Sequence, residues 1–283
     1  MNFLSDIVKG VFIGVANIIP GVSGGTMAVS MGIYDKIIYS VTHLFKDMKQ
    51  SIKTLLPFVI GAGLGLVGLA FIIEYLFANY PIQTNLFFIG LILGGLPVIV
   101  KRIKIKRVDF SHALSFLLFF ALIIVLQLVN GSGADVTIRI SLVEIIKLFI
   151  IGIIASATMV IPGVSGSMIL MLLGYYQPIL TTINTFIKSA VSLDIAACVG
   201  PCLILMPFGI GVVVGIFAIA KLIEILLAKY ESLTFCAILG LVVASPVAIL
   251  MGVSFTGVTL ITIITGIMAF LIGCIIAFFL GKE

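Results

Sequence analysis

From Val258 to Leu280 the chain runs for 23 residues without one charged side chain, and Leu114 to Val129 is a second uncharged stretch. A helix of about 20 apolar residues matches the thickness of a bilayer's hydrocarbon core. The rest of the chain agrees with these two stretches. Of 283 residues 62% are hydrophobic and 10% charged, and the mean hydropathy is +1.39. A soluble domain needs about 25% charge to cover its surface. The fold expected is therefore an all-α polytopic membrane protein. The first segment carries Asp6 and lacks an Ala-x-Ala-like cleavage site, so it is expected to belong to the mature protein. The net charge of +5 comes from Lys and Arg in short loops between apolar segments, where they orient a chain in the membrane of the cell and form no nucleic-acid face.

The chain repeats itself. Adding 142 maps Pro20-Gly21-Val22-Ser23-Gly24 onto Pro162-Gly163-Val164-Ser165-Gly166, and pairs Ile19 with Ile161, Gly32 with Gly174, Tyr34 with Tyr176 and Lys46 with Lys188. After an eight-residue insertion the offset becomes 150. It then pairs Pro57-Phe58 with Pro207-Phe208, Gly61 with Gly211, Gly65 with Gly215, Glu74 with Glu224, Tyr80 with Tyr230, Thr84 with Thr234 and Gly90-Leu91 with Gly240-Leu241. Chance apolar similarity does not align Pro, Gly, Tyr and Glu in one register.

Loop charge orients the two copies. The basic run Lys101 to Arg107 is expected in the cytoplasm. Reading outward from it gives a first repeat over 1–130, with a re-entrant hairpin at 3–38 and crossings at 54–78, 86–100 and 110–130. The second repeat, 131–283, has a hairpin at 141–176 and crossings at 203–228, 234–250 and 257–280. Three crossings per copy make the second copy inverted, with both termini cytoplasmic. Lys188, outside in this arrangement, runs against the charge rule.

Each hairpin carries Ile-Pro-Gly-Val-Ser-Gly at its break. Proline stops the preceding helix and glycine permits unusual φ and close approach. Irregular backbone inside a membrane is tolerated only when buried in protein or lining a wet cavity. Breaking the helix frees N–H groups where the returning half begins, a favourable place for an anion. Asn17, Gly21, Ser23, Gly24, Gly25 and Thr26 are the expected binding groups of the first copy. Thr158, Gly163, Ser165, Gly166 and Ser167 are those of the second. Small residues also serve simply to pack membrane helices. Packing accounts less well for a proline-containing hairpin with matched hydroxyls, and broken helices at matched places point to a transporter's central site.

Glu74 and Glu224 are matched carboxylates and candidates for a coupling site for a proton or sodium ion, or interfacial groups with a paired structural role. Arg139 and Lys147 lie near the outer end of the second hairpin, as attractors of an anionic headgroup or as interfacial anchors. Cys198, Cys202, Cys236 and Cys274 lie in apolar runs and read as small buried side chains. No metal or cofactor site is expected. Gly-Val-Ser-Gly also resembles the serine motif of rhomboid proteases, but His43 and His112 lie in or beside loops and neither serves either serine as a base. Nor are the His and Arg clusters of a lipid phosphatase present, so no enzyme is expected.

Asn17-Ile-Ile-Pro-Gly-Val-Ser-Gly-Gly-Thr26, its echo Met159-Val-Ile-Pro-Gly-Val-Ser-Gly-Ser167, and the Gly-Ile-Tyr and Gly-Tyr-Tyr stretches that follow resemble the PopT family of bacterial and archaeal membrane proteins. The likeness covers nearly the whole chain. It implies return of polyprenyl phosphate, chiefly undecaprenyl phosphate, from the outer to the cytoplasmic leaflet of the plasma membrane, which recycles the carrier lipid for peptidoglycan. The second motif departs from the first, with Ser167 and Met168 in place of Gly25 and Thr26. A carrier of a small water-soluble anion is the alternative within transport; an assembly scaffold is the alternative outside it.

Overall fold

The computed structural model describes residues 3–17, 23–103, 109–129, 136, 138, 141–164, 166–254 and 258–281. Among these the chain is helical. Its helices are α1 (Phe3–Ala16), α2 (Gly24–Ser30), α3 (Tyr34–Thr42), α4 (Met48–Gly63), α5 (Ala70–Asn79), α6 (Pro81–Gly94), α7 (Leu96–Arg102), α8 (Phe110–Leu128), α9 (Leu142–Val160), α10 (Gly166–Leu172), α11 (Tyr176–Val191), α12 (Ile195–Lys229), α13 (Glu231–Met251) and α14 (Leu260–Leu280). Local chemistry sets several starts. Ser23, Asp47 and Thr259 cap α2, α4 and α14 with side-chain oxygens, and Pro81 opens α6 where its missing N–H costs nothing.

Among the described residues six stretches are long and apolar enough to cross a membrane: Pro81–Arg102, Phe110–Leu128, Leu142–Val160, Ile195–Lys229, Glu231–Met251 and Leu260–Leu280. The segment expected at 54–78 is divided. A π-helical turn at Leu64–Gly68 separates α4 from α5, whereas its repeat counterpart lies within the unbroken α12. The difference follows the sequence: Gly63 and Gly68 stand where the second copy has Val213 and Ala218, and glycine lets a helix take in an extra residue.

The chain divides into two compact units. The first holds residues 1–128, 161–164 and 220–283. In it α1 lies along α4 with backbones in direct contact. A Cβ on Gly61 would run into the Ile7 carbonyl, and one on Gly65 into that of Val11. The last crossings are exchanged between the sequence halves: α6 packs along α14, and α13 along α8. The second unit holds residues 129–160 and 165–219. There α9 lies against α12 in the same manner, Gly211 on the Phe149 carbonyl and Gly152 on that of Phe208. The duplication read from the sequence thus recurs in the packing, position for position. It recurs in the turns as well. Gly32 and Gly174 both take positive φ, +67° and +73°. Tyr80 and Tyr230 each bend the chain at φ −134° and accept the hydroxyl of Thr84 and Thr234 respectively.

Candidate functional site

The first motif is built around Ser23. Its side chain caps α2 by accepting the Thr26 N–H at 3.1 Å, and its hydroxyl shares a 3.0 Å hydrogen bond with that of Thr26. Asn17, at the end of α1, accepts the Gly24 N–H at 3.4 Å and donates to the Ile13 carbonyl at 3.0 Å. The end of α1 and the start of α2 are thereby tied to each other. Ser23, Gly24, Gly25 and Thr26 are all buried, and Thr26 is completely so.

Residues 161–164 of the second motif belong to this same unit. Gly163 donates its backbone N–H to both hydroxyls of the first motif, to Thr26 Oγ1 at 2.7 Å and Ser23 Oγ at 3.1 Å. Its φ of +84° is left-handed, and a Cβ there would lie 2.9 Å from the Leu241 carbonyl oxygen. Only glycine presents its amide in this way. The two copies of the motif therefore meet, and the donors expected to hold an anion are engaged with each other.

The remaining expected residues divide. Thr158 is buried, but its hydroxyl donates to the Ala155 carbonyl of its own helix at 2.6 Å. Gly166 begins α10, where a Cβ would lie 3.1 Å from Thr158 Oγ1. Ser167 is exposed and makes a polar contact of its own. Gly21, Ser165 and Arg139 lie outside the described residues, and so does the Glu74 side chain. Glu224 pairs with Lys221 at 2.7 Å and stands 3.6 Å from His43 Nδ1. It lines a cavity of about 240 Å³ with Asp35, Tyr39 and Glu231. The four cysteines are free thiols.

Two pairings, each with a buried carboxylate, escaped the motif reading. Lys36 Nζ donates to Asp6 Oδ2 at 2.8 Å in the first unit, and Tyr175 donates to Glu144 Oε1 at 2.8 Å in the second. Asp6 and Lys9 in an otherwise apolar segment were the available signal, since ionisable residues are rare inside membranes. Glu144 offered less, standing beside Lys147, which lies 3.5 Å from its other carboxylate oxygen.

Comparison with known proteins decides the family. The family model described as VCA0040-like, undecaprenyl phosphate translocase-like, matches residues 13–260. The chain belongs to this family. The polyprenyl-phosphate transporter of Staphylococcus aureus is 33% identical over 282 residues, covering 98% of this chain and 95% of the relative. That of Vibrio cholerae is 30% identical over 260 residues, covering 87% and 77%. No solved structure matches the chain. The resemblance carried by the paired motif is borne out, and with six helices among the described residues long and apolar enough to span, the chain is an integral membrane protein. Both relatives are named as transporters.

Proposed function

We propose that this chain carries polyprenyl phosphate, undecaprenyl phosphate above all, from the outer to the cytoplasmic leaflet, with the phosphate held between the two hairpin tips. The observation that carries this reading is the convergence of the Ser23 and Thr26 hydroxyls on the Gly163 amide. A hydroxyl can accept or donate. Without substrate, both hydroxyls accept from Gly163. When a phosphate enters, they rotate to donate to it, and the released Gly163 N–H becomes a third donor. Three neutral internal contacts give way to charge-assisted ones, which are about twice as strong. Ser23 and Thr26 are buried, so each bond to the anion acts at low dielectric.

Two inverted repeats are the framework of this reading. The offset of 150 matches α6 with α13. Phe235, near the start of α13, lines one small cavity with Ile99 and Arg102, at the end of the α6–α7 span. That neighbourhood supports antiparallel counterparts, as inversion requires. In this topology the termini and the 101–107 loop face the cytoplasm, and rocking of the repeats exposes the tips to each leaflet in turn while the prenyl tail stays in lipid. A proton or sodium gradient is the driving force to test.

The experiment is reconstitution in liposomes, following leaflet transfer of undecaprenyl phosphate under imposed proton or sodium gradients. Thr26→Val and Ser23→Ala are each expected to slow transfer roughly 10- to 100-fold, the loss of one hydrogen bond to a charged group at about 1.5–3 kcal/mol. No transfer by the wild type under any gradient sinks the proposal. Uptake of inorganic phosphate without movement of the lipid would favour the small-anion carrier instead.

A further inference from the structure

A serine or threonine inside a membrane helix commonly returns its hydroxyl to a carbonyl one turn back, and Thr84, Thr234 and Ser245 all do so here. The acceptor distinguishes Ser245. Its hydroxyl donates at 3.0 Å to the Leu241 carbonyl. That same oxygen stands 2.9 Å from where a Cβ of Gly163 would lie, and Gly163 is the residue whose amide meets Ser23 and Thr26. Contacts therefore run from Ser245, through one peptide carbonyl, to the tip. All of these residues belong to the first unit.

A carbonyl oxygen carries a partial negative charge and two lone pairs. The helical ladder of α13 offers the Leu241 oxygen one donor, the N–H four residues on. Left bare, the other lone pair would repel an anion seated on the Gly163 amide, most strongly where water is excluded. Ser245 is completely buried, as are Val242 and Ala244 beside it, so the second donor has to come from the protein. The Ser245 hydroxyl is that donor. The next residue, Pro246, lies inside α13 and has no N–H to give to the Val242 carbonyl. This turn of α13 is one rung short, and a helix bends most readily at such a place. It can yield when Gly163 shifts to admit a phosphate.

We propose that Ser245 is a positioning residue for the tip: by occupying the Leu241 carbonyl, its hydroxyl makes that side of the site tolerant of an anion. The role rests on the transport reading, in which Gly163 gives its N–H to the phosphate. Ser245 acts through the peptide on which Gly163 packs, without touching the phosphate itself.

The test is calorimetric titration of the purified full-length chain in detergent with farnesyl phosphate, with thermal unfolding of each variant alongside. Ser245→Ala is expected to bind about fivefold more weakly, within the worth of one neutral hydrogen bond. Its melting temperature should stay close to wild type, because back-bonding of this kind does not strengthen a helix. Ser245→Thr keeps the hydroxyl and restores the affinity. If its extra methyl prevents folding, Ser245→Cys is read in its place; the thiol is a weaker donor, so its affinity falls between those of wild type and Ser245→Ala. Thr234→Val removes the same kind of bond about 16 Å along the same helix and leaves the affinity unchanged. Binding by Ser245→Ala as tight as wild type, or tighter, overturns the role and leaves the bond a tie within α13. Equal weakening by Thr234→Val overturns it too, as does a folded Ser245→Thr, or Ser245→Cys in its place, that binds no better than Ser245→Ala. No binding of farnesyl phosphate by the wild-type chain is a different failure: it removes the phosphate site at the tip.

Discussion

Gly163 has a backbone that side chains rarely adopt and an amide on which two hydroxyls depend. Gly163→Ala is expected to cost about 1–2 kcal/mol for the left-handed φ alone. Contact with the Leu241 carbonyl adds to that, and lipid transfer should be lost with the lowered melting temperature. Gly174, at φ +73°, supplies the control: Gly174→Ala pays a similar backbone strain of about 1–2 kcal/mol, yet transfer per folded molecule stays near wild type. At Tyr175, replacement by Phe removes the donor to a buried carboxylate. A loss of about 1.5–3 kcal/mol is expected, read as a drop in thermal stability of the purified protein. The motif announced Ser23, Thr26 and Gly163 as site residues. It did not announce that they bond to one another, because a hydrogen bond between residues 137 positions apart leaves no local trace.

At the scale of elements, the two copies use glycine to bring helix backbones into contact. Gly61→Ala and Gly211→Ala drive a methyl into the Ile7 and Phe149 carbonyls respectively. Each should destabilise by about 1–3 kcal/mol, the range of overpacking. Gly63, with nothing within 4 Å of its would-be Cβ, gives the opposite result. Gly63→Ala should be neutral or stabilising by up to about 1 kcal/mol. Thermal unfolding of the three variants in one detergent checks the contrast. Helix existence was legible from apolar run length and the repeated glycines from their register. The break at Leu64–Gly68 was not: a 54–78 run is apolar enough to read as one helix, and only extra glycines relative to 203–228 hinted otherwise.

At the scale of the whole molecule, the reading of two inverted copies makes a prediction about sidedness. Phe45 and Ser192 are exposed residues near the matched lysines, Lys46 and Lys188. With the four native cysteines replaced by alanine, Phe45→Cys should react with a membrane-impermeant thiol reagent only from the cytoplasmic side, and Ser192→Cys only from outside. Labelling of both from one side would contradict the inversion.

Sequence alone determined that this chain lives in a membrane, that it is duplicated, and where the paired motif lies. These follow from run length, composition and register, which are local or periodic properties of the chain. Tertiary structure decided which of these parts meet. It placed residues 161–164 with the first unit, gave each half's last helix to the other half's partner, and brought Asp6 and Lys36 from separate helices into one half-buried ion pair. In an apolar medium nearly every helix face can pack against any other. The choice then falls to close-fitting glycines and to the few polar groups that must find partners, and those are pairings between residues far apart in the chain.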